Sequence, residues 1–246
     1  MSYKYLLNSQ FENFKDVLLD IKNIFKNSDI SIHKARNELK IFQYESTTTV
    51  IKAFRIPNFI NQVAYSFVRD SKAKRSYLYS LKIEEFVPKP IGYIEFYSFF
   101  LLKESYFISE NFVFDFTIKE PIFNKKLAHR DEILRAFAGF SFSLHEAGIY
   151  HNDYSPGNIL VKKVEDEYIF KIVDINRMTF FTLSQDDRAK NFEKLWADEE
   201  TLTTIAGEYQ RIANLDDSFT KSTIDFTHKD RERKKLKNRF KGRKDA

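Results

Sequence analysis

Apolar and polar residues are patterned differently in the two halves of this 246-residue chain. Residues 38–54, ELKIFQYESTTTVIKAF, read as two short strands around a polar turn. The second of these is rich in β-branched residues and has Lys52 embedded in it. Pro57-Asn58 then opens a helical stretch, with Ile60, Val63, Ala64 and Phe67 at helical spacing. A second helical piece, SKAKRSYLYSLKI, stops before Val87-Pro88-Lys89-Pro90, and Ile91 to Ser109 alternates as one or two strands. The first half is thus predicted as β-rich, with helix between its strand pairs.

The second half has a longer period. From Asp131 to Ala147, Ile133, Phe137, Phe140 and Leu144 recur at steps of four, three and four, which predicts an amphipathic helix. Gly148 is its natural stop, since glycine accepts the left-handed conformation at a helix end. A polar loop, HNDYSPGNIL (151–160), follows at once. Ile159-Leu160-Val161 and Tyr168 to Val173 then read as a β-hairpin across the acidic turn Glu165-Asp166-Glu167. Beyond Asp186 the chain reads as helical, with Phe192, Leu195, Trp196, Leu202, Ile205 and Tyr209 as its apolar positions. The organisation expected is an N-lobe over 1–110, a C-lobe over 111–227 and a basic tail over 228–246.

Composition narrows the class. The apolar fraction of 43% supports a sizeable core, and the 26 phenylalanines are read as core packing. With no cysteine there are no disulfides or thiolate metal sites, which fits a reducing compartment. The first residues lack a secretory signal core, and the most apolar run, Ile94 to Leu102, is too short to cross a bilayer. A soluble, cytoplasmic protein is expected. The net charge is +5, but residues 228–246 alone carry +7, leaving −2 for the rest. That tail can bind an anionic membrane surface, bind nucleic acid without sequence preference, or simply be solvated. The mildly acidic body argues against a specific nucleic-acid function.

The loop carries the candidate chemistry. His151, Asp153 and Asn158 give H-x-D-x-x-x-x-N, and the hairpin returns to Asp174 in IVDINRM. A hairpin sets its two ends side by side, so Asn158 and Asp174 offer an amide oxygen and a carboxylate as a partial shell for Mg²⁺. Asp153 could orient an attacking hydroxyl and receive its proton, and Lys52 could hold the α- and β-phosphates of ATP. His151 is read as a brace that hydrogen-bonds the backbone near Asp174. The other histidines, 33, 129, 145 and 228, form no ligand spacing. As bland alternatives, Lys52 could snorkel from a strand edge, and Asp153 and Asn158 could be turn formers.

These residues, in this order, resemble the protein-kinase-like superfamily. The wording D-x-S-P-G-N, with Ser155 where eukaryotic protein kinases usually place a lysine, looks like its small-molecule kinases, such as aminoglycoside and choline phosphotransferases. SKAKRSY (71–77), PKPIGYIE (88–95), LHEAGIYHNDYSPGNIL (144–160) and VDINRM (173–178) are similar to the bacterial lipopolysaccharide kinase family. That resemblance implies an α+β, bilobal protein-kinase-like fold with a β-rich N-lobe and a helical C-lobe. It implies ATP and Mg²⁺ as cofactors and a Kdo or heptose sugar on a lipid anchor as acceptor, at the inner face of the membrane. It makes Asp153 the catalytic base, Asn158 and Asp174 the metal ligands and Lys52 the ATP lysine.

Three departures keep other readings open. Residues 31–49 contain no glycine, so phosphate cover would fall to side chains such as Arg36, Asn37 or Lys40. Leu78 stands where a helix glutamate would pair the lysine, with Glu84 and Glu85 beyond it. The D-F-G position reads Asp174-Ile175-Asn176, which loses glycine's freedom at 176, in a turn that Arg177 could stiffen by pairing with a carboxylate. A kinase of another small molecule or of a protein, or a catalytically weak nucleotide-binding pseudokinase, are the alternatives.

Overall fold

The computed structural model describes residues 2–28, 31–34, 37–55, 62, 64–66 and 69–240. The chain forms two compact units, Met1–Val113 and Phe114–Ala246.

The first unit is built on a six-stranded antiparallel sheet in the order β1-β5-β6-β4-β3-β2. Its strands are β1 (Ser2–Leu7), β2 (Ser31–Lys34), β3 (Asn37–Tyr44), β4 (Thr47–Phe54), β5 (Pro90–Ser98) and β6 (Leu101–Glu110). One face is covered by a 3₁₀ turn, Ser9–Phe14, and two short helices, α1 (Lys15–Leu19) and α2 (Ile21–Asn27). Phe14, Leu18 and Ile21 pack there on Ile51, Ile94 and Ile108, the alternate residues of three adjacent strands. β1 can lie against β5 because position 92 is glycine: a Cβ there would stand 2.9 Å from the Leu6 carbonyl oxygen. The other face carries α3 (Lys72–Lys82), capped by the Ser71 side chain accepting from Lys74 N–H. Ala73 and Tyr77 of α3 pack with Phe54 and Tyr93. Register aligns Lys52 with Phe107, and Phe107 with Tyr93, so Lys52 lies on the α3 face of the sheet.

The expected strand pairs and the helix over 71–83 are present. The helix expected from Pro57 to Phe67 falls largely outside the described residues. The edge strand β1 and the α1–α2 pair are additions to the pattern read from the sequence. Lys40, expected as a candidate for phosphate cover, instead donates to the carbonyls of Phe25 (2.7 Å) and Ser28 (2.8 Å). It closes the C-terminus of α2, where a cation is favoured by the helix dipole. Arg36 lies outside the described residues.

The second unit contains β7 (Phe116–Thr117), α4 (Lys119–Phe123), α5 (Arg130–Glu146), β8 (Ile149–His151), β9 (Ile159–Val164) and β10 (Glu167–Ile172). These are followed by β11 (Met178–Phe180), α6 (Gln185–Asn191), α7 (Glu199–Ala213) and α8 (Ser218–Phe240). Ile133, Phe137 and Leu144 of α5 are buried, as their spacing predicts. Phe137 packs its ring on Tyr154 and Phe192, and Tyr209 stacks on Phe219 at 4.8 Å. At positions 137, 192 and 219 phenylalanine is core material. Gly148 adopts φ +71°, the left-handed stop expected of it.

Helix α8 runs through position 228 into the segment read as a tail. Its inner stripe is Phe219, Thr223, Thr227 and Asp230. Beyond it, Arg231 donates to the carbonyls of Trp196 and Ala197, and Arg233 pairs with Glu193 at 3.0 Å. Lys234 sits 2.6 Å from Asp230, too bent for a directed hydrogen bond, and lies over the Trp196 ring. A solvated tail does not begin at 228, because these cations have partners on the body of their own unit.

Candidate active site

The polar loop is clamped at both ends by strand pairing. β8 enters it and pairs with β11, aligning His151 with Met178. β9 leaves it and pairs with β10 from Ile159↔Ile172 to Val164↔Glu167. The hairpin expected from the sequence is therefore present, with Glu165 at φ 54° in its turn.

Hydrogen bonds fix the loop between these clamps. Val173 N–H donates to the Asn158 carbonyl at 2.9 Å, so the backbone of Asn158 lies against the residue preceding Asp174. The Asn158 side-chain amide donates to the Asp153 carbonyl at 2.9 Å. His151 is buried; its Nδ1 accepts from Asp153 N–H at 3.0 Å and its Nε2 donates to the Val173 carbonyl at 3.1 Å. Burial lowers the His151 pKa, and both bonds suit the neutral imidazole with its proton on Nε2. One imidazole thus joins the strand that enters the loop, the backbone of Asp153 and the residue before Asp174. Tyr154, also buried, shares a hydrogen bond with Ser141 of α5 at 2.9 Å. Asp153, Asn158 and Asp174 themselves are half-buried.

Asp174 has φ 57° and ψ 41°, left-handed backbone that an aspartate adopts more readily than most residues. A 3₁₀ turn, Ile175–Arg177, follows it. The conformational demand falls on Asp174 and not on position 176, where the sequence had suggested that glycine's freedom was lost. Asn176 donates its amide to Asp174 Oδ1 at 2.7 Å and so orients the carboxylate. The Arg177 side chain makes no ion pair with a described carboxylate; its carbonyl instead accepts from the Asn152 amide at 2.7 Å. Gly157 has no left-handed φ and open space around it, so neither backbone conformation nor packing requires glycine there.

A buried polar chain supports the loop from behind. His145 Nε2 donates to Asn191 Oδ1 at 3.1 Å and its Nδ1 accepts from the Tyr209 hydroxyl at 3.0 Å. Asn191 in turn donates to the His151 carbonyl at 2.9 Å. Burial pulls the His145 pKa down to about 4. Spacing could not reveal this group, because Tyr209 and Asn191 lie 64 and 46 residues along the chain.

In the first unit Lys52 stands on β4, its ammonium 5.4 Å from the Phe54 ring centroid. Leu78 packs against the cluster of Phe54, Ala73, Tyr77 and Tyr93. Asn37 accepts weakly from Arg55 N–H through Oδ1, at 3.5 Å. Among the described residues, no three His, Cys, Asp or Glu side chains cluster as a metal site. An ion here would need the amide of Asn158 beside the carboxylate of Asp174.

Comparison with known proteins follows the same lines. Residues 122–236 match the family described as "Lipopolysaccharide kinase (Kdo/WaaP) family". No curated protein sequence matches the chain. Among solved structures, WaaP in complex with acyl carrier protein aligns over 92% of this chain and 98% of that one, at 13% identity and a TM-score of 0.60. The Rio2 kinase–ADP/Mg²⁺–phosphoaspartate complex from Chaetomium thermophilum aligns over 90% of this chain and 67% of that one, at 14% identity and a TM-score of 0.49. The resemblance to the lipopolysaccharide kinase family, the protein-kinase-like α+β fold and the assignment as a phosphotransferase are borne out.

Proposed function

We propose, from the match of residues 122–236 to the lipopolysaccharide kinase family, that this chain transfers the γ-phosphate of ATP to a hydroxyl of a lipopolysaccharide inner-core sugar, Kdo or heptose. The observation that carries the reading is the loop and hairpin that hold Asp153, Asn158 and the approach to Asp174 in one hydrogen-bonded unit.

Asp153 is the base. It takes the proton of the acceptor hydroxyl as that oxygen bonds to the γ-phosphorus and the bond to the β–γ bridging oxygen breaks, releasing ADP. Its backbone is held from both sides, N–H by His151 and carbonyl by Asn158, so the carboxylate is presented from a fixed main chain. Asn158 and Asp174 are the ligands of Mg²⁺. Their donors fit a hard cation: Asn158 uses its amide nitrogen on Asp153, leaving the oxygen as the donor atom, and Asn176 orients Asp174. When bound, the ion neutralises charge on the phosphates. Lys52 holds the α- and β-phosphates, and His151 braces the loop.

The acceptor is lipid-linked, and the enzyme works from the cytoplasmic side, at the membrane surface. No described helix is long and apolar enough to cross a membrane. The exposed Lys229, Lys235, Lys237 and Arg239 of α8 supply cations for an anionic headgroup layer. Incubation with Mg-ATP and either Kdo-lipid A or core oligosaccharide, read by mass spectrometry, tests the reading. A phosphate added to the sugar supports it; no transfer to any core acceptor, with ATP bound, rejects the substrate.

A further inference from the structure

The β5–β6 hairpin closes with two residues, since Ser98 and Leu101 are paired across it. Those two are Phe99 and Phe100, at φ 47° and 63°. Two-residue hairpins whose central residues both have positive φ favour Asn-Gly, because left-handed backbone suits small or Asx residues. A phenylalanine is among the least suited side chains for either place. Neither ring recovers anything by burial: Phe99 is 91% exposed and Phe100 81%. The folded chain therefore carries two poorly accommodated backbone positions and two solvated aromatic rings at one point. Strain and exposed apolar surface kept together mark contact with something outside the chain.

We infer that this tip inserts into the interfacial layer of a lipid bilayer. Its surroundings fit that occupant. Tyr3, half-exposed at the start of β1, lies close by, since its neighbour Ser2 pairs with Tyr97 next to the tip. Tyrosine at the headgroup level is a mark of membrane interfaces. Lys4 lies over the Tyr97 ring, and Lys103 occupies the bulge just after the turn. An aromatic point flanked by cations suits a bilayer with anionic headgroups. A protein partner fits less well, because a specific interface covers roughly 800 Å² on each side, far more than a two-residue turn presents. The inference does not depend on the kinase chemistry, and it assigns lipid contact to the first unit without calling on the cations of α8.

The test is sedimentation of the full chain with vesicles of phosphatidylethanolamine and phosphatidylglycerol, and with vesicles of phosphatidylcholine alone. It is run at low salt and at about 1 M salt, where α8 electrostatics are screened. Phe99→Asn with Phe100→Gly installs the preferred turn, so this variant folds at least as stably as the parent. It is expected to bind about tenfold or more weakly at high salt, on both vesicle types. As a second reading, Phe99→Cys places the only thiol in a cysteine-free chain; a polarity-sensitive fluorophore there should shift to the blue on vesicle addition. Equal binding by parent and Asn-Gly variant, no vesicle binding by the parent, or a less stable Asn-Gly variant overturns the inference. Loss of sugar phosphorylation alone leaves it standing.

Discussion

The Asn158 side chain donates to the backbone carbonyl of Asp153, at 2.9 Å and five residues back. One amide therefore does two things: its nitrogen sets the main chain of the proposed base, and its oxygen remains for a cation. Asn158→Ala removes both, and transfer should fall on the order of a hundredfold through misplacement alone. Asn158→Asp keeps an oxygen ligand but loses the donor. It should retain more activity than the alanine variant and show a shifted Mg²⁺ dependence, measured by titrating the ion in a steady-state assay. Full activity of Asn158→Ala at the same Mg²⁺ would remove Asn158 from the site.

His151 links Asp153 N–H to the Val173 carbonyl. His151→Phe keeps a ring of similar size and leaves two half-buried backbone groups without the imidazole. Unfolding in urea should show a loss of about 1–3 kcal/mol. A loss below about half a kcal/mol would mean that water or a shifted loop replaces the imidazole.

His145 is folded with a pKa of about 4, against about 6.5 when unfolded. The unfolded chain then binds more protons between those values, so stability rises with pH across that window and is fully present above about 6.5. On acidification towards pH 4 this group should withdraw on the order of 3 kcal/mol, at up to about 1.4 kcal/mol per pH unit. Denaturant midpoints measured across the window should slope for the parent and slope less for His145→Gln, with a remainder from His151, whose pKa burial also lowers. An unchanged slope would place the titrating group elsewhere.

Gly148 has φ +71°, and a Cβ there would stand 3.0 Å from the Phe181 carbonyl oxygen. Gly148→Ala should cost about 1–2 kcal/mol from backbone conformation, with crowding added. It strikes the link between the end of α5 and β8, so thermal denaturation should show the loss. A neutral substitution would mean that the turn relaxes to negative φ.

What could be read from the sequence followed the length of its patterns. The 17-residue helix α5 and the β9–β10 hairpin repeat their period often enough to stand out, and they position the loop. Helices α1 and α2 have five and seven residues, too few for a helical period to accumulate. Strands β8 and β11, three residues each, have no alternation to detect, yet they clamp the loop. The residues that line up as H-x-D-x-x-x-x-N were visible because they share a short segment. The Tyr209–His145–Asn191 chain was not, since its members meet only after α5, α6 and α7 pack. Asn176 stands where the D-F-G pattern has glycine, but the left-handed backbone is at Asp174, and a motif does not show which residue of a turn takes it.

The central claim is that Asp153 receives the acceptor's proton during phosphate transfer to a core sugar. It is tested most directly by comparing the parent chain with Asp153→Asn, using Mg-ATP and Kdo-lipid A, with phosphorylated product followed by mass spectrometry. ATP binding is read alongside as thermal stabilisation. The account predicts product from the parent, a loss of about 10²–10⁴-fold in the variant, and ATP stabilisation in both. Equal transfer by the two proteins, or ATP stabilisation with no transfer by the parent to any core acceptor, would contradict it.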